Sequence, residues 1–585
     1  MDCARAQRQV STTTSRRDDG SARPQRRHGR RGGTLLATLA AAACCGIAAA
    51  QPAPPADGVP AQIAAAIAAD GALVRGRARE YGAAQALRTV YASRADAPLW
   101  IRDGQLTPQA EALLHELQRA DAYGLRVADY AAAAGSRPTP AAAASSAADE
   151  RRWARFDVTL SAVTLRFMSD LHYGRVDPAA AGFKLQAPHA PLDLASALEA
   201  LAHAQDVGAA LAAVEPPFYH YKLLKDALTR YLSLAQQHPE LTLLPAALRT
   251  LKPGDGYAGA RQLRDLLVAL GDLPESAAVP SASTFDAELS SGVRAFQQRH
   301  GLDADGTIGK ATFAALTTPL ARRVRQIDLT LERWRWLPPF QTPPIIVNIP
   351  QFRLFAFRTT DDRAADILQM DVIVGRTYPR MQTPVFDGDM RYVVFRPYWD
   401  VPSSITRNEM LPKIRANPGY VAAHRLEIVS GQQDSSPEVA PTPANIEALA
   451  AGKLRLRQLP GEDNALGLVK FMFPNTYNVY LHSTPAHRLF NESVRAFSHG
   501  CIRVRDPAAL AVHVLRGTPG DWTLAKVEET MDDGKTLRVN LAQPVQVLIL
   551  YGTALATEAG PMLFFNDIYG YDRKLESELG LAPPR

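Results

Sequence analysis

At 585 residues the chain is longer than one hydrophobic core usually supports, so several domains are expected. Its 46% hydrophobic and 21% charged residues are those of a folded globular protein, which excludes disorder for most of its length. The formal charge of +6 equals the surplus of nine Arg over three Asp in residues 1–50, so the remainder is near neutral and no global nucleic-acid surface is indicated.

Residues 1–50 have the three parts of a secretory leader: basic Arg26 to Arg31, an apolar run from Leu35 to Ile47, and small Ala48-Ala49-Ala50 before Gln51. Cleavage near Ala50 and export to the periplasm or cell envelope are expected. An uncleaved anchor is the alternative, but the run is short for a bilayer span of about 20 residues. Cys3, Cys44 and Cys45 all fall in this leader, so the processed chain keeps Cys501 alone. No intramolecular disulfide is then available, and a lone thiol in an oxidising compartment calls for a role.

Residues 51–254 are rich in Ala and Leu at helical spacing, as in Ala110, Leu113, Leu114 and Leu117, and read as a helical scaffold. Within them Arg137 to Ala148 holds almost only Ala, Ser and Pro and reads as a linker or loop. Residues 255–318 predict three short helices with Gly-punctuated turns: Leu263, Leu266, Leu267 and Leu270 stop at Gly271, Leu289, Val293 and Phe296 follow, and Thr312 to Leu316 close the unit. Val293 to Gln297, His300-Gly301-Leu302, Asp305-Gly306, Gly309 and Thr312 resemble the small three-helix peptidoglycan-binding domain.

A linker helix over 319–342 leads to Pro343-Pro344, where the texture changes to β-branched and aromatic runs. Ile345 to Ile349, Phe352 to Phe357, Met370 to Val374, Tyr392 to Phe395, Val479 to Leu481 and Val545 to Tyr551 predict a mainly β domain over 343–576, followed by a tail at 577–585. About 402–470 the pattern turns helical and irregular, as expected of an insertion that caps a site. The fold class is therefore multidomain α+β.

The chemistry-bearing stretch is Tyr480-Leu481-His482-Ser483-Thr484-Pro485, followed by Ser498-His499-Gly500-Cys501-Ile502-Arg503. An unperturbed thiol, with a pKa of about 8.5, is only a few per cent thiolate near neutrality and needs help to attack a carbonyl. His482 can accept its proton, and N–H groups around Gly500-Cys501 can face a developing oxyanion. By spacing alone, a small buried cysteine beside a core histidine is an equally good reading. Zinc held by His482, His499 and Cys501 is a further reading, but no second cysteine or HExxH supports it.

His482, fifteen intervening residues, then Ser498-His499-Gly500-Cys501 and Arg503 are similar to the signature of the L,D-transpeptidase (YkuD-type) catalytic domain. The flanking Arg457 to Gly461, Asn464 to Gly467, Lys470-Phe471, Phe473-Pro474-Asn475 and His482 to Pro485 resemble its YcbB-like subgroup. That subgroup also has a helical scaffold, a peptidoglycan-binding domain and a capping segment. The resemblance implies Cys501 as nucleophile, His482 as base and the position of Ser483 as the group orienting the imidazole. Ser498, His499, Gly500 and Tyr480 would shape the substrate and oxyanion pocket, and Arg503 would support the loop or bind a carboxylate.

The implied reaction joins peptidoglycan stems. Cys501 attacks the L-centre carbonyl of the third stem residue, releases D-Ala and holds a thioester. An amine of a second stem then resolves it to a 3→3 cross-link. No metal or organic cofactor is needed. Carbapenem acylation and cell-wall synthase partners are expected, nucleic acid is not. An L,D-carboxypeptidase, a transferase anchoring protein to the wall, and a non-catalytic wall-binding scaffold are the alternatives.

Overall fold

The computed structural model describes residues 58–69, 81–137, 146–185, 190–247, 249–278, 283–361, 363, 367–378, 381–433, 435–558 and 560–581. The segment expected to be a secretory leader, with its three cysteines, the middle of the 137–148 stretch and the last four residues lie outside them.

The helical region is built around α1 (Ala147–Tyr173), capped by Ser146, whose side chain accepts from Asp149 N. From Phe156 to Leu171 every residue but Arg166 is buried, so this helix is enclosed around most of its circumference and forms an axis for its neighbours. Asp157 can be buried there because it accepts from Leu99 N at 2.9 Å and Trp100 N at 2.8 Å. The helix Pro108–Gln118 buries Ala110, Leu113, Leu114 and Leu117, the face that the spacing defines. Tyr219–Gln237 follows as α2.

Three helices then come together: α3 (Ala260–Leu270), α4 (Ala287–Arg299) and α5 (Lys310–Leu316). Gly271 ends α3 at φ 84°, the left-handed conformation that favours glycine. Buried Gln297 accepts from Gly306 N at 2.8 Å and donates to Thr307 O and Thr312 Oγ1. That one amide ties the Asp305–Thr307 turn to two helices, which explains the Gln, Gly and Thr of the motif. Next, α6 (Leu320–Trp334) sends Ile327 and Leu331 into the core of these helices and Leu329 into the core of the β domain.

Among the described residues the β domain has nine strands in one sheet: β1 (Ile345–Asn348), β2 (Arg353–Ala356), β3 (Leu368–Gly375), β4 (Phe386–Phe395), β5 (Val469–Met472), β6 (Leu481–His482), β7 (Ala496–Ser498), β8 (Ile502–Val504) and β9 (Leu537–Leu550). The order β3-β8-β6-β5-β4-β9-β1-β2 returns to β3, because Arg353 to Ala356 pair with Asp371 to Leu368. The sheet thus closes into a ring, with β7 added in parallel on the end of β3. Closure removes free edges and fills the interior with Val347, Leu354, Val393, Phe471, Leu481 and Ile549.

Three differences from the sequence reading stand out. Strand β9 begins at Leu537, well before Val545, and β4 begins at Phe386, because their long mutual pairing sustains polar residues that alternation alone does not mark. Val479 and Tyr480 precede the short β6 and are not part of it. The insertion is also not purely helical: Glu438–Val439, Leu426–Val429, Arg455–Gln458 and Trp399–Asp400 form a four-stranded antiparallel sheet in that order. Short helices cover it, and Val401, Ile414, Leu426, Ile428 and Leu456 give it a core of its own. Four-residue strands pairing with distant partners are too short for their alternation to show in the sequence.

Candidate active site

Phe471, Leu481 and Ile502 lie in register on β5, β6 and β8 and point into the ring. Side chains alternate along a strand, so Lys470, His482 and Arg503, which are also in register, form a row on the opposite face. Cys501, two residues before Arg503, and Tyr480, two before His482, extend this row. A cavity of about 760 Å³ opens above it, walled on the far side by Trp399 and Ser403 to Ile405 of the insertion.

The thiol of Cys501 lies 3.6 Å from the carbonyl oxygen of Asn478. Tyr480 acts on this thiol through both its hydroxyl and its backbone N–H, in the direction that favours the thiolate. Lys470 Nζ sits 4.1 Å from the centre of the Tyr480 ring. Burial pushes the Cys501 thiol up, against the Tyr480 donors and the positive charges of Lys470 and Arg503, which favour the thiolate.

His482 is buried, and its Nδ1 is 2.5 Å from the main-chain oxygen of Ser483, which accepts its proton. The carbonyl of Leu466 also favours the ring N–H. Burial, then the charge of Arg503, and also that of Lys470, outweigh both and hold the imidazole down to about 3. His482 is therefore neutral at physiological pH. Among the described residues no hydrogen bond joins it to Cys501; such contacts commonly tighten only when substrate binds.

The loop before Cys501 is held from several sides. Ser498 Oγ donates to Cys501 O at 2.5 Å and accepts from Gly500 N at 3.1 Å. Gly500 takes φ 121°, open to glycine and strained for any side chain. His499 Nε2 is 2.7 Å from Glu409 Oε1 of the insertion. Arg503 Nε is buried and, among the described residues, has no hydrogen-bond partner.

Of the residues singled out in the sequence, Tyr480, His482, Ser498, His499, Cys501 and Arg503 line one cavity. Ser483 and Gly500 are not among its lining residues. His482, His499 and Cys501 do not converge as ligands: among the described residues no three His, Cys, Asp or Glu side chains are arranged to hold a metal. Trp399, Glu409 and Asn478 were not singled out, and nothing local marks them. Lys470 appeared only within a flanking motif, since its role depends on strand register.

Comparison with known proteins agrees with this architecture. Residues 85–228 match a family described as "Scaffold domain", residues 257–316 one described as "Putative peptidoglycan binding domain", and residues 343–527 the "L,D-transpeptidase catalytic domain". A Haemophilus influenzae protein named "Putative L,D-transpeptidase" is 34% identical over 254 residues, 43% of this chain and 49% of that relative. A Mycobacterium tuberculosis protein named "N-acetylmuramoyl-L-alanine amidase CwlM" is 42% identical over 73 residues, 11% of this chain and 18% of its own length. The chain thus spans about half the length of the first relative and less of the second. It carries an L,D-transpeptidase catalytic domain together with a peptidoglycan-binding domain.

Proposed function

We propose that the protein is an exported L,D-transpeptidase that forms 3→3 cross-links between peptidoglycan stems with Cys501 as nucleophile. The observation that carries this reading is the placement of Cys501 beside the Lys470–His482–Arg503 row, on the wall of one cavity, in the region that matches the catalytic domain. Residues 51–254 serve as scaffold, 255–318 as wall-binding unit, 319–342 as connector and 343–576 as catalytic domain, with 402–470 as cap.

The steps follow from the side chains. Neutral His482, its Nδ1–H held by Ser483, accepts the thiol proton at Nε2. The negative charge left on sulfur offsets the cationic field of Lys470 and Arg503, so the two proton positions are coupled. The thiolate attacks the carbonyl at the L-centre of the donor's third residue, and the Cys501 N–H meets the oxyanion. Collapse breaks the bond to D-Ala, whose amine takes the proton back from His482, and leaves a thioester. The acceptor amine then attacks, gives its proton to His482 and expels the thiolate, forming the new amide. Arg503 and Lys470 supply charge suited to the carboxylates of stem peptides.

Muropeptide profiling of cells making wild type or Cys501→Ala tests the reading, with intact-mass analysis after carbapenem exposure. Cross-linked 3→3 dimers and a single adduct are expected with wild type only. Tripeptides without dimers would instead identify an L,D-carboxypeptidase. Equal profiles for both proteins would leave only the scaffold alternative.

A further inference from the structure

The loop that carries Cys501 has an anchor outside the motif. Thr383 follows the turn after β3, and its side chain is fully buried. Its Oγ1 accepts from Gly375 N at 2.8 Å and lies 2.8 Å from the carbonyl oxygen of Gly500. Since Gly375 supplies a proton to this oxygen, the hydroxyl's own proton goes to Gly500 O. Thr383 is itself held: its N–H donates to the Tyr569 hydroxyl at 3.2 Å, and that hydroxyl donates to Gly375 O at 2.5 Å. The fit is close, because a Cβ on Gly375 would sit 2.0 Å from Met381 O.

A trans peptide points its C=O and N–H in opposite directions. With Gly500 O drawn to the buried Thr383, the N–H of Cys501 is turned the other way, and among the described residues it has no acceptor. Ser498 steadies the flanking peptides through Gly500 N and Cys501 O. We infer that Thr383, backed by Tyr569, is a positioning residue that presents the Cys501 N–H to the transition-state oxyanion. The inference rests on the acyl-transfer reading and deepens it. Thr383 touches neither substrate nor thiol. It sets the orientation of the one peptide whose N–H must point at a charge that exists only during reaction.

The test separates oxyanion stabilisation from thiol reactivity. Acylation by a carbapenem passes through an oxyanion, whereas alkylation by iodoacetamide displaces iodide at carbon and needs none. Both rates are read by intact mass on the full chain, for wild type, Thr383→Val and Thr383→Ser. Removing an oxyanion donor outright costs roughly a hundredfold or more, so Thr383→Val is expected to slow acylation by about ten- to a hundredfold. Alkylation should stay within about twofold, and Thr383→Ser, which keeps the hydroxyl, should restore acylation to within about threefold. Acylation of Thr383→Val at the wild-type rate overturns the proposal, as does an equal fall in both rates. If Thr383→Val does not fold, Tyr569→Phe takes its place. It should slow acylation selectively, and an unchanged ratio of the two rates overturns the proposal. A wild type that alkylates but never acylates refutes the acyl-transfer reading itself.

Discussion

Glu409, on the inserted subdomain, holds Nε2 of His499 at 2.7 Å, two residues ahead of Cys501. It sits in the π-helical turn Thr406–Met410, so the insertion grips the nucleophile's own loop as well as roofing the cavity. Both side chains are partly exposed, and such a contact by itself is worth little. The expected effect is on positioning. Glu409→Ala should slow carbapenem acylation by about three- to tenfold, and His499→Ala by a similar amount. The double variant should be no slower than either single one. Additive losses in this cycle would show that the two residues act separately.

The group that orients His482 is the carbonyl of Ser483, a main-chain atom that substitution leaves in place. Ser483→Ala should therefore acylate within about threefold of wild type, whereas His482→Ala should lose about a hundredfold or more. Intact-mass acylation rates decide it. A large loss in Ser483→Ala would mean that the hydroxyl matters instead.

The same histidine makes stability depend on pH. Its pKa falls from the ordinary 6.5 to about 3 on folding, so between these values the unfolded chain binds a proton that the folded chain does not. Its contribution is complete above about 6.5 and is lost progressively as pH falls toward 3. Urea midpoints should drop more between pH 7 and pH 4 for wild type than for His482→Gln, and equal drops would refute the assignment.

Lys470 favours the thiolate of Cys501, while burial keeps the thiol's pKa above its ordinary value. Iodoacetamide alkylation should accordingly rise with pH through the neutral range and beyond. Lys470→Met should move that profile to higher pH, with alkylation at pH 8 falling about threefold or more. A profile that stays put would remove Lys470 from the activation of the thiol.

Gly467 takes φ 61°, and a Cβ there would meet Ser483 Oγ at 2.5 Å and Thr484 N at 2.7 Å. Gly467→Ala should push away the segment that holds His482. We expect a loss of about 1–3 kcal/mol in stability, together with a larger loss of acylation than Ser483→Ala shows. Thermal melting and adduct formation measure the two, and a melting point equal to wild type would contradict the packing described.

Residue spacing by itself determined which faces are apolar and where chain segments stop. Ala110, Leu113, Leu114 and Leu117 lie on the buried side of their helix because i, i+3, i+4, i+7 spacing defines a stripe wherever that helix packs. Gly271 ends its helix because it enters the left-handed region at little cost. Cys501 was likewise marked locally, by its flanking residues and by being the one cysteine after residue 45. The tertiary structure alone decided which strands are neighbours. The row of Lys470, His482 and Arg503 exists because β5, β6 and β8 pair in one register, and a slip of one residue would turn all three into the ring. Glu409, 90 residues from His499, and Thr383, 117 from Gly500, reach the loop for the same reason. Spacing along a chain encodes faces, but a contact between distant residues depends on how whole elements pair and pack, which no single segment of sequence contains.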